Sequence, residues 1–333
     1  MSQHYWQDFL NAVAAPFRGF FVIESAFSLI FLASAFVFCA GIYALRAKRR
    51  LRWRTLRRFI LPKRILLHPS ARLDYRFYFF IGALRAGMLG AMVISSGVMA
   101  ALVAQALGGM TGLKGPLVVA PFWLVATIAT LVQIVLFDLG YWIGHRIMHE
   151  IPLLWEFHKP HHAAEVLTPA TAARAHPVED LLQSNFIAAA LGVGYGFLVF
   201  AFGETAQPLT LFQTNIVFFI YFLTIFHLRH SHVWLPIKGW LGYIIQSPAH
   251  HQIHHSTEPR HYGKNLGFSL SFWDWLFGTL YVPNEKEELE FGLGHESAEF
   301  ATVRDLFLKP FEKVYRLLGF GAKPATADVK PDA

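Results

Sequence analysis

Residues 145–162 read HRIMHEIPLLWEFHKPHH, five histidines in one short stretch. His145 and His149 stand four apart, and His158, His161 and His162 form an HxxHH box. On a helix, positions i, i+3 and i+4 share one face, so each run is expected to present its imidazoles to one point. A second HxxHH box follows at His251, His254 and His255, and His227, His230 and His232 lie between the two. Neutral imidazole is the commonest protein metal ligand. A set of this size would fill the coordination spheres of two ions. The isolated His4, His68 and His295 are read as ordinary surface or core residues.

The rest of the chain says where such a centre sits. Of 333 residues 54% are hydrophobic, 32 are Phe, and the mean hydropathy is +0.39. A soluble domain of this length is rarely so apolar, and long apolar runs point to a bilayer. The fold class expected is all-α: a multi-span integral-membrane helical bundle carrying a histidine-box cap on its cytoplasmic side. The one cysteine, Cys39, lies inside an apolar run, which excludes a disulfide framework and cysteine-based zinc or iron–sulfur sites.

Three regions are expected: 1–115, membrane spans with a basic loop at 46–76; 116–283, the catalytic domain; and 284–333, an extension, partly disordered. Phe20–Leu45 is the first spanning run, with Glu24 near its start. The formal charge of +7 is concentrated just after it, in Arg46, Lys48, Arg49, Arg50, Arg52, Arg54, Arg57, Arg58, Lys63 and Arg64. Directly after a span, such a block reads as a cytoplasmic loop touching anionic lipid rather than a nucleic-acid surface. Phe77–Leu107 is the second run, with Arg85 its one internal charge, and Leu117–Leu139 the third, continuing unbroken into His145 and His149. Asn185–Phe202 and Leu209–Phe226 form a hairpin that either crosses fully or re-enters. With the basic loop inside, the histidine boxes fall on the same, inner side of a bacterial-type cytoplasmic membrane or equivalent endomembrane.

Several chemistries are excluded. His149-Glu150 begins like HExxH, but position 153 is Leu. No GxSxG elbow and no GxxxxGK[ST] loop occur, and the two Glu-x-x-His motifs that soluble di-iron bundles need together are missing. A redox centre at a membrane face suits attack on unactivated C–H bonds with O2, which favours iron over zinc.

The ordered motifs resemble the fatty acid hydroxylase/sterol desaturase superfamily of integral-membrane di-iron oxygenases. They are Asp138-x-x-Tyr141-Trp142-x-x-His145-Arg146-x-x-His149, Leu154-Trp155-x-x-His158-x-x-His161-His162, and Arg174-x-His176-Pro177-x-Glu179. Pro248-x-x-His251-x-x-His254-His255, Asn265-x-Gly267 and Trp273-Asp274-x-x-Phe277-Gly278-Thr279 follow. The resemblance covers roughly residues 120–283. It implies metal ligands at His145, His149, His158, His161, His162, His251, His254 and His255, with His230 the best match to the middle histidine. His227 is the second choice there and His232 a weaker one. His176, Asp138, His261, Asn265 and Asp274 are candidates for further ligands or for groups that orient the ligands. No catalytic residue beyond the metal centre is implied.

What the resemblance implies as function is hydroxylation or desaturation of a lipid, a fatty acyl chain or a sterol-like molecule, with two irons, O2 and external electrons. The alternatives are an ether-lipid monooxygenase on the same scaffold, and a non-enzymatic histidine-rich metal-binding or transport protein. The partners expected are the lipid substrate, the membrane and a separate electron donor of ferredoxin or cytochrome type with its reductase, and no nucleic acid. His68-Pro69 and His176-Pro177 lack the paired glycines of a haem-binding motif, and no GxGxxG turn occurs.

Overall fold

The computed structural model of the protein describes residues 2–23, 25–46, 52–88 and 92–320. Glu24, Lys48, Arg49, Arg50, the side chain of His4 and the tail after Phe320 lie outside the described residues. Almost every described element is helical; the named strands are one short hairpin, Thr210–Leu211 against Thr214–Asn215.

Three described helices are long and apolar enough to cross a membrane: α2 (Leu29–Arg46), α7 (Phe122–Glu150) and α9 (Pro177–Phe202). To reach them in order, the chain first forms α1 (Ser2–Arg18), and after α2 come α3 (Trp53–Ile60), α4 (Lys63–Leu66), α5 (Pro69–Met88) and α6 (Ser96–Thr111). α8 (Pro152–His162) follows α7, and after α9 come α10 (Ile216–Tyr221), α11 (His227–Arg229), α12 (Pro248–His254), α13 (Phe272–Leu276) and α14 (Val303–Leu317).

α7 places the site. Its 29 residues span about 43 Å at ~1.5 Å each, longer than a hydrocarbon core of ~30 Å, and its last turns carry His145 and His149. α9 packs along α7 at Gly140, where an added Cβ would sit 2.6 Å from the Phe186 carbonyl oxygen and the Ile187 Cα. On its other side α9 sets Gly192 and Gly196 against Met99 and Val103 of α6. Without a hydrophobic drive between helices in lipid, such close contact is what holds spans together.

Two expectations about the spans need correction. Phe77–Leu107 is not one helix: α5 ends at Met88, and α6 begins afresh at Ser96, its N-terminus capped by Ser95 Oγ accepting from the Val98 amide. Arg85 is no stray charge; its guanidinium meets Asp180 Oδ2 at 2.6 Å and ties α5 to the start of α9. The second arm of the 185–226 hairpin is also short. Ile216–Arg229 is an apolar helix below spanning length, with a π-helical turn at Phe222–Phe226 just before the histidines.

The cap is sewn to the spans by buried polar groups. Arg174, 1% exposed, donates to Ser70 Oγ (2.9 Å) and Asp74 Oδ1 (3.1 Å), and Thr171 Oγ1 donates to Asp74 Oδ2 (2.7 Å). The segment after 283 joins the core: Phe300 and Leu306 pack with Leu73, Phe77, Ile81 and Ala163. α14 lies on α8 and is held by Lys313, which pairs with Glu296 (3.2 Å) and Glu299 (3.0 Å).

Candidate metal centre

Four stretches of chain converge at the C-terminal end of α7. The π-helical turn sets the phase of α11, and the chain leaves helical geometry at His230 (φ −98°, ψ 72°). Single π turns are frequent at functional sites. α8 and α12 both begin with Pro in the first turn and both end at their histidines. Nine histidines meet in two adjoining groups whose nitrogens lie within 4.8 Å of one another: His145, His149, His158, His162 and His254, and His161, His230, His251 and His255. The two groups touch, with His162 and His255 rings 4.6 Å apart.

Each HxxHH box divides between the groups rather than pointing at one spot. His158 and His162 enter the five-membered group, His161 the other; His251 and His255 enter the four-membered group, His254 the other. The helix explains it. At about 100° per residue, i+4 lies ~40° to one side of i and i+3 ~60° to the other. "One face" is therefore wide enough to serve two centres.

The spacing inside the groups fits metal ions. His230, His251 and His255 form a triangle of Nε2 atoms with sides of 2.9, 3.1 and 3.2 Å. His158 Nε2 lies 3.1 Å from both His145 Nε2 and His162 Nε2. Imidazole nitrogens bound at right angles to one ion at ~2.1 Å are about 3 Å apart. The outer nitrogens set the tautomers: His145 Nδ1–H donates to the Leu266 carbonyl (2.7 Å), His254 Nδ1–H to the Lys264 carbonyl (2.9 Å), and His158 Nδ1–H faces Glu179 Oε1 at 2.9 Å. In each, the Nε2 lone pair is turned inward. Burial also keeps these rings neutral, driving His161 down to about 3 and His254 to about 4, and His158, His162, His230, His251 and His255 well below the usual range. Neutral lone pairs facing one another with no donor between them are what a cation relieves.

His251 departs from this pattern. Arg229 Nη2 lies 2.7 Å from its Nδ1, and a guanidinium only donates. The ring then carries its proton on Nε2, 2.9 Å from His230 Nε2, and an ion bound there must displace it.

Residues 130–279, the segment holding all nine histidines, match the fatty acid hydroxylase family. The likeness to the family is confined to this part of the chain. The chain is 30% identical over 158 residues to an alkylglycerol monooxygenase of Xenopus tropicalis (47% of this chain, 31% of the relative). It is 32% identical over 153 residues to a Delta(7)-sterol 5(6)-desaturase of Gibberella zeae (45% and 42%), and 28% over 191 residues to an ornithine lipid hydroxylase of Rhizobium tropici (57% and 53%). The chain spans about a third of the length of the alkylglycerol monooxygenases it matches. No solved structure matches it.

The remaining candidates in and beside the matched segment stand outside both groups. Asp138 does not reach His145; it accepts from the amides of Phe268, Ser269 and Leu270 and from Ser269 Oγ, fixing that loop against α7. Asp274 acts one step behind His145. It accepts from the Leu266 and Gly267 amides, Trp142 Nε1 and Thr279 Oγ1, and so positions the Leu266 carbonyl that His145 meets. Gly267 is required there, since a Cβ would lie 2.2 Å from the Leu270 carbonyl oxygen. Asn265, at φ 56°, bonds the backbone of His250 and Tyr281. His261 faces Glu287 at 3.3 Å. His176 caps α9, its Nδ1 accepting from the Val178 amide and its Nε2–H donating to the Phe307 carbonyl. His227 packs against Phe27 and Phe226, and His232 Nε2–H donates to the Phe59 carbonyl (2.7 Å). Glu179 and Arg229, which touch the groups directly, were not among the candidates. Glu179 closes the Arg174–Glu179 motif and Arg229 sits between two histidines, and those positions were the available signals.

Two cavities flank the centre. A polar cleft of about 750 Å³ reaches His149, His162, His254 and His255, with Glu150, Lys159, Glu290 and Glu296 on its walls. A smaller apolar cavity of about 110 Å³ lies on the α2 side, walled partly by Leu228 and Ser231.

Proposed function

We propose that the protein is a membrane-bound di-iron oxygenase that hydroxylates or desaturates the hydrocarbon of a lipid. The observation that carries this reading is the double group of buried, neutral imidazoles at the C-terminal end of a membrane helix. His145, His149, His158, His162 and His254 would hold one iron, and His161, His230, His251 and His255 the other. Bound there, the irons would supply the activation of O2 that attack on an unactivated C–H bond requires. Hydroxylation takes up one O2, two electrons and two protons, and releases water with the alcohol; desaturation takes up the same and releases two waters with the alkene.

The protein's own groups do the holding. Glu179, Leu266 and Lys264 orient three rings through their Nδ1–H, and the packed cap keeps the imidazoles neutral and ready to bind. The electrons are assigned to a separate ferredoxin- or cytochrome-type carrier with its reductase. The exposed Arg52, Arg54, Arg57 and Arg58 offer an acidic carrier a landing surface. The centre and this basic segment are assigned to the cytoplasmic side.

A specific observation favours the ether-lipid form of this chemistry: four of the relatives are alkylglycerol monooxygenases. The deciding experiment combines metal analysis, O2 uptake with a carrier and reductase, and mass spectrometry of the lipids of cells with and without the gene. Two irons per chain and a lipid gaining one oxygen or losing two hydrogens are expected; oxygen on the carbon next to an ether oxygen would select the ether-lipid form. One zinc, no iron and an unchanged lipid profile would reject the proposal.

A further inference from the structure

We infer that the apolar cavity between α2 and the α3–α4 segment receives the hydrocarbon chain of the membrane lipid on which the centre acts; this rests on the oxygenase reading above. Its walls run from the spanning helix α2 to the segment that leads into His230. α2 contributes Leu32, Phe36 and Cys39, α3–α4 contribute Ile60 and Ile65, and the floor is Leu228, two residues before His230. No carboxylate, lysine or arginine lines it. Of its polar wall groups, Ser231 Oγ donates to the Leu228 carbonyl and His232 to the Phe59 carbonyl, while the buried ring nitrogens of His227 have no hydrogen-bond partner and stand as a polar point on a mostly apolar wall beside Leu228.

The mouth opens towards lipid. Phe36 and Leu61 both line the cavity, yet are 47% and 42% exposed, and the neighbouring Val37 is 70% exposed on a spanning helix. The roof is built for a bilayer surface. Ile60 and Ile65 turn inward, while Arg57, Arg58, Lys63 and Arg64 are exposed, so apolar and basic residues take opposite sides of the segment. His232 and Tyr43 hold this roof down through Phe59, and Arg46 donates to the Trp234 carbonyl (2.5 Å) below it. A cavity of about 110 Å³ takes a few methylenes at the end of a chain, and no charged side chain on its wall would pair with a headgroup. The polar cleft on the far side is the rival entrance, but its glutamates and Lys159 would lose water to hydrocarbon without replacement. On this assignment the chain enters from the membrane, and O2, protons and the electron carrier approach from the aqueous side.

The test uses the full-length protein in lipid nanodiscs with a hexadecanoyl phospholipid bearing a terminal diazirine, photolysed and mapped by mass spectrometry. Adducts are expected on the buried wall residues Cys39, Leu228 and Val233, which bulk lipid does not reach. They should form equally in metal-free and iron-loaded protein. Saturated fatty acids should compete with an affinity rising about fourfold per methylene until the cavity is filled. Ala35→Trp, which fills the cavity, should abolish these adducts with the metal content unchanged. Adducts on 290–296 with none on the wall residues would overturn the proposal, as would wall adducts that persist in Ala35→Trp. Because labelling needs neither iron nor turnover, it can succeed where the oxygenase reading fails, and fail where turnover is found.

Discussion

At the scale of single residues, the groups that hold the rings matter as much as the rings. His158→Ala, His161→Ala, His254→Ala and His255→Ala are each expected to abolish activity and lower bound iron, whereas His295→Ala leaves both unchanged. Full activity and iron in any of the four would remove that residue from the ligand set. Glu179→Gln removes the charge facing His158 Nδ1 at 2.9 Å, and the expected loss is about 10–100-fold in metal affinity with the fold intact; competition against a chelator measures it. His176 gives a pH signature. Burial lowers it to about 4, so between pH 6.5 and 4 the unfolded chain takes up a proton that the folded one refuses. Stability from this residue is full above pH 6.5 and is lost as pH falls towards 4, by up to about 3 kcal/mol. His176→Asn keeps a capping side chain without the titration. The drop in thermal midpoint from pH 7 to pH 5 should be smaller in this variant than in the parent; equal drops would acquit His176. The histidine boxes were legible in the sequence because their spacing is local. The roles of Asp138, Asp274, Glu179 and Arg229 were not, because Asp138, Glu179 and Arg229 act on partners 20 or more residues away, and Asp138 and Asp274 hold backbone rather than rings.

At the scale of elements, hydropathy located α2, α7 and α9, since length and apolar content are what a bilayer selects, but it began α2 early at Phe20 rather than Leu29 and α9 late at Asn185 rather than Pro177. It merged α5 and α6, because an apolar average does not register a capped restart at Ser95. It also could not show the π turn before His227, which leaves the composition of the helix unchanged. Close helix contact is where the elements are most sensitive. Gly140→Ala puts a methyl group 2.6 Å from the backbone of α9, five residues before His145. The expected result is a loss of about 1–3 kcal/mol of stability and a drop in bound iron, read by thermal melting in detergent and metal analysis. Unchanged melting would mean that α9 yields freely at this crossing.

At the scale of the whole molecule, the spans form a base on which the cap is fastened by Arg174, Asp74 and α14, and the centre sits between base and cap. The proposed orientation rests on the basic segment. In a Cys39→Ala background, Lys63→Cys and Glu290→Cys should react with a membrane-impermeant thiol reagent from the same, cytoplasmic side of sealed vesicles. Labelling from opposite sides would overturn the topology. The crossing of the two HxxHH boxes between the groups also sets a timetable for the ribosome. By His162 the emerging chain has supplied four of the five histidines of one group but a single member of the other, and neither group is whole until the second box is made. On the proposed ligand assignment, α7 and α9 are therefore made before either group is whole, and a full set of ligands for both ions exists only once the second box has been added.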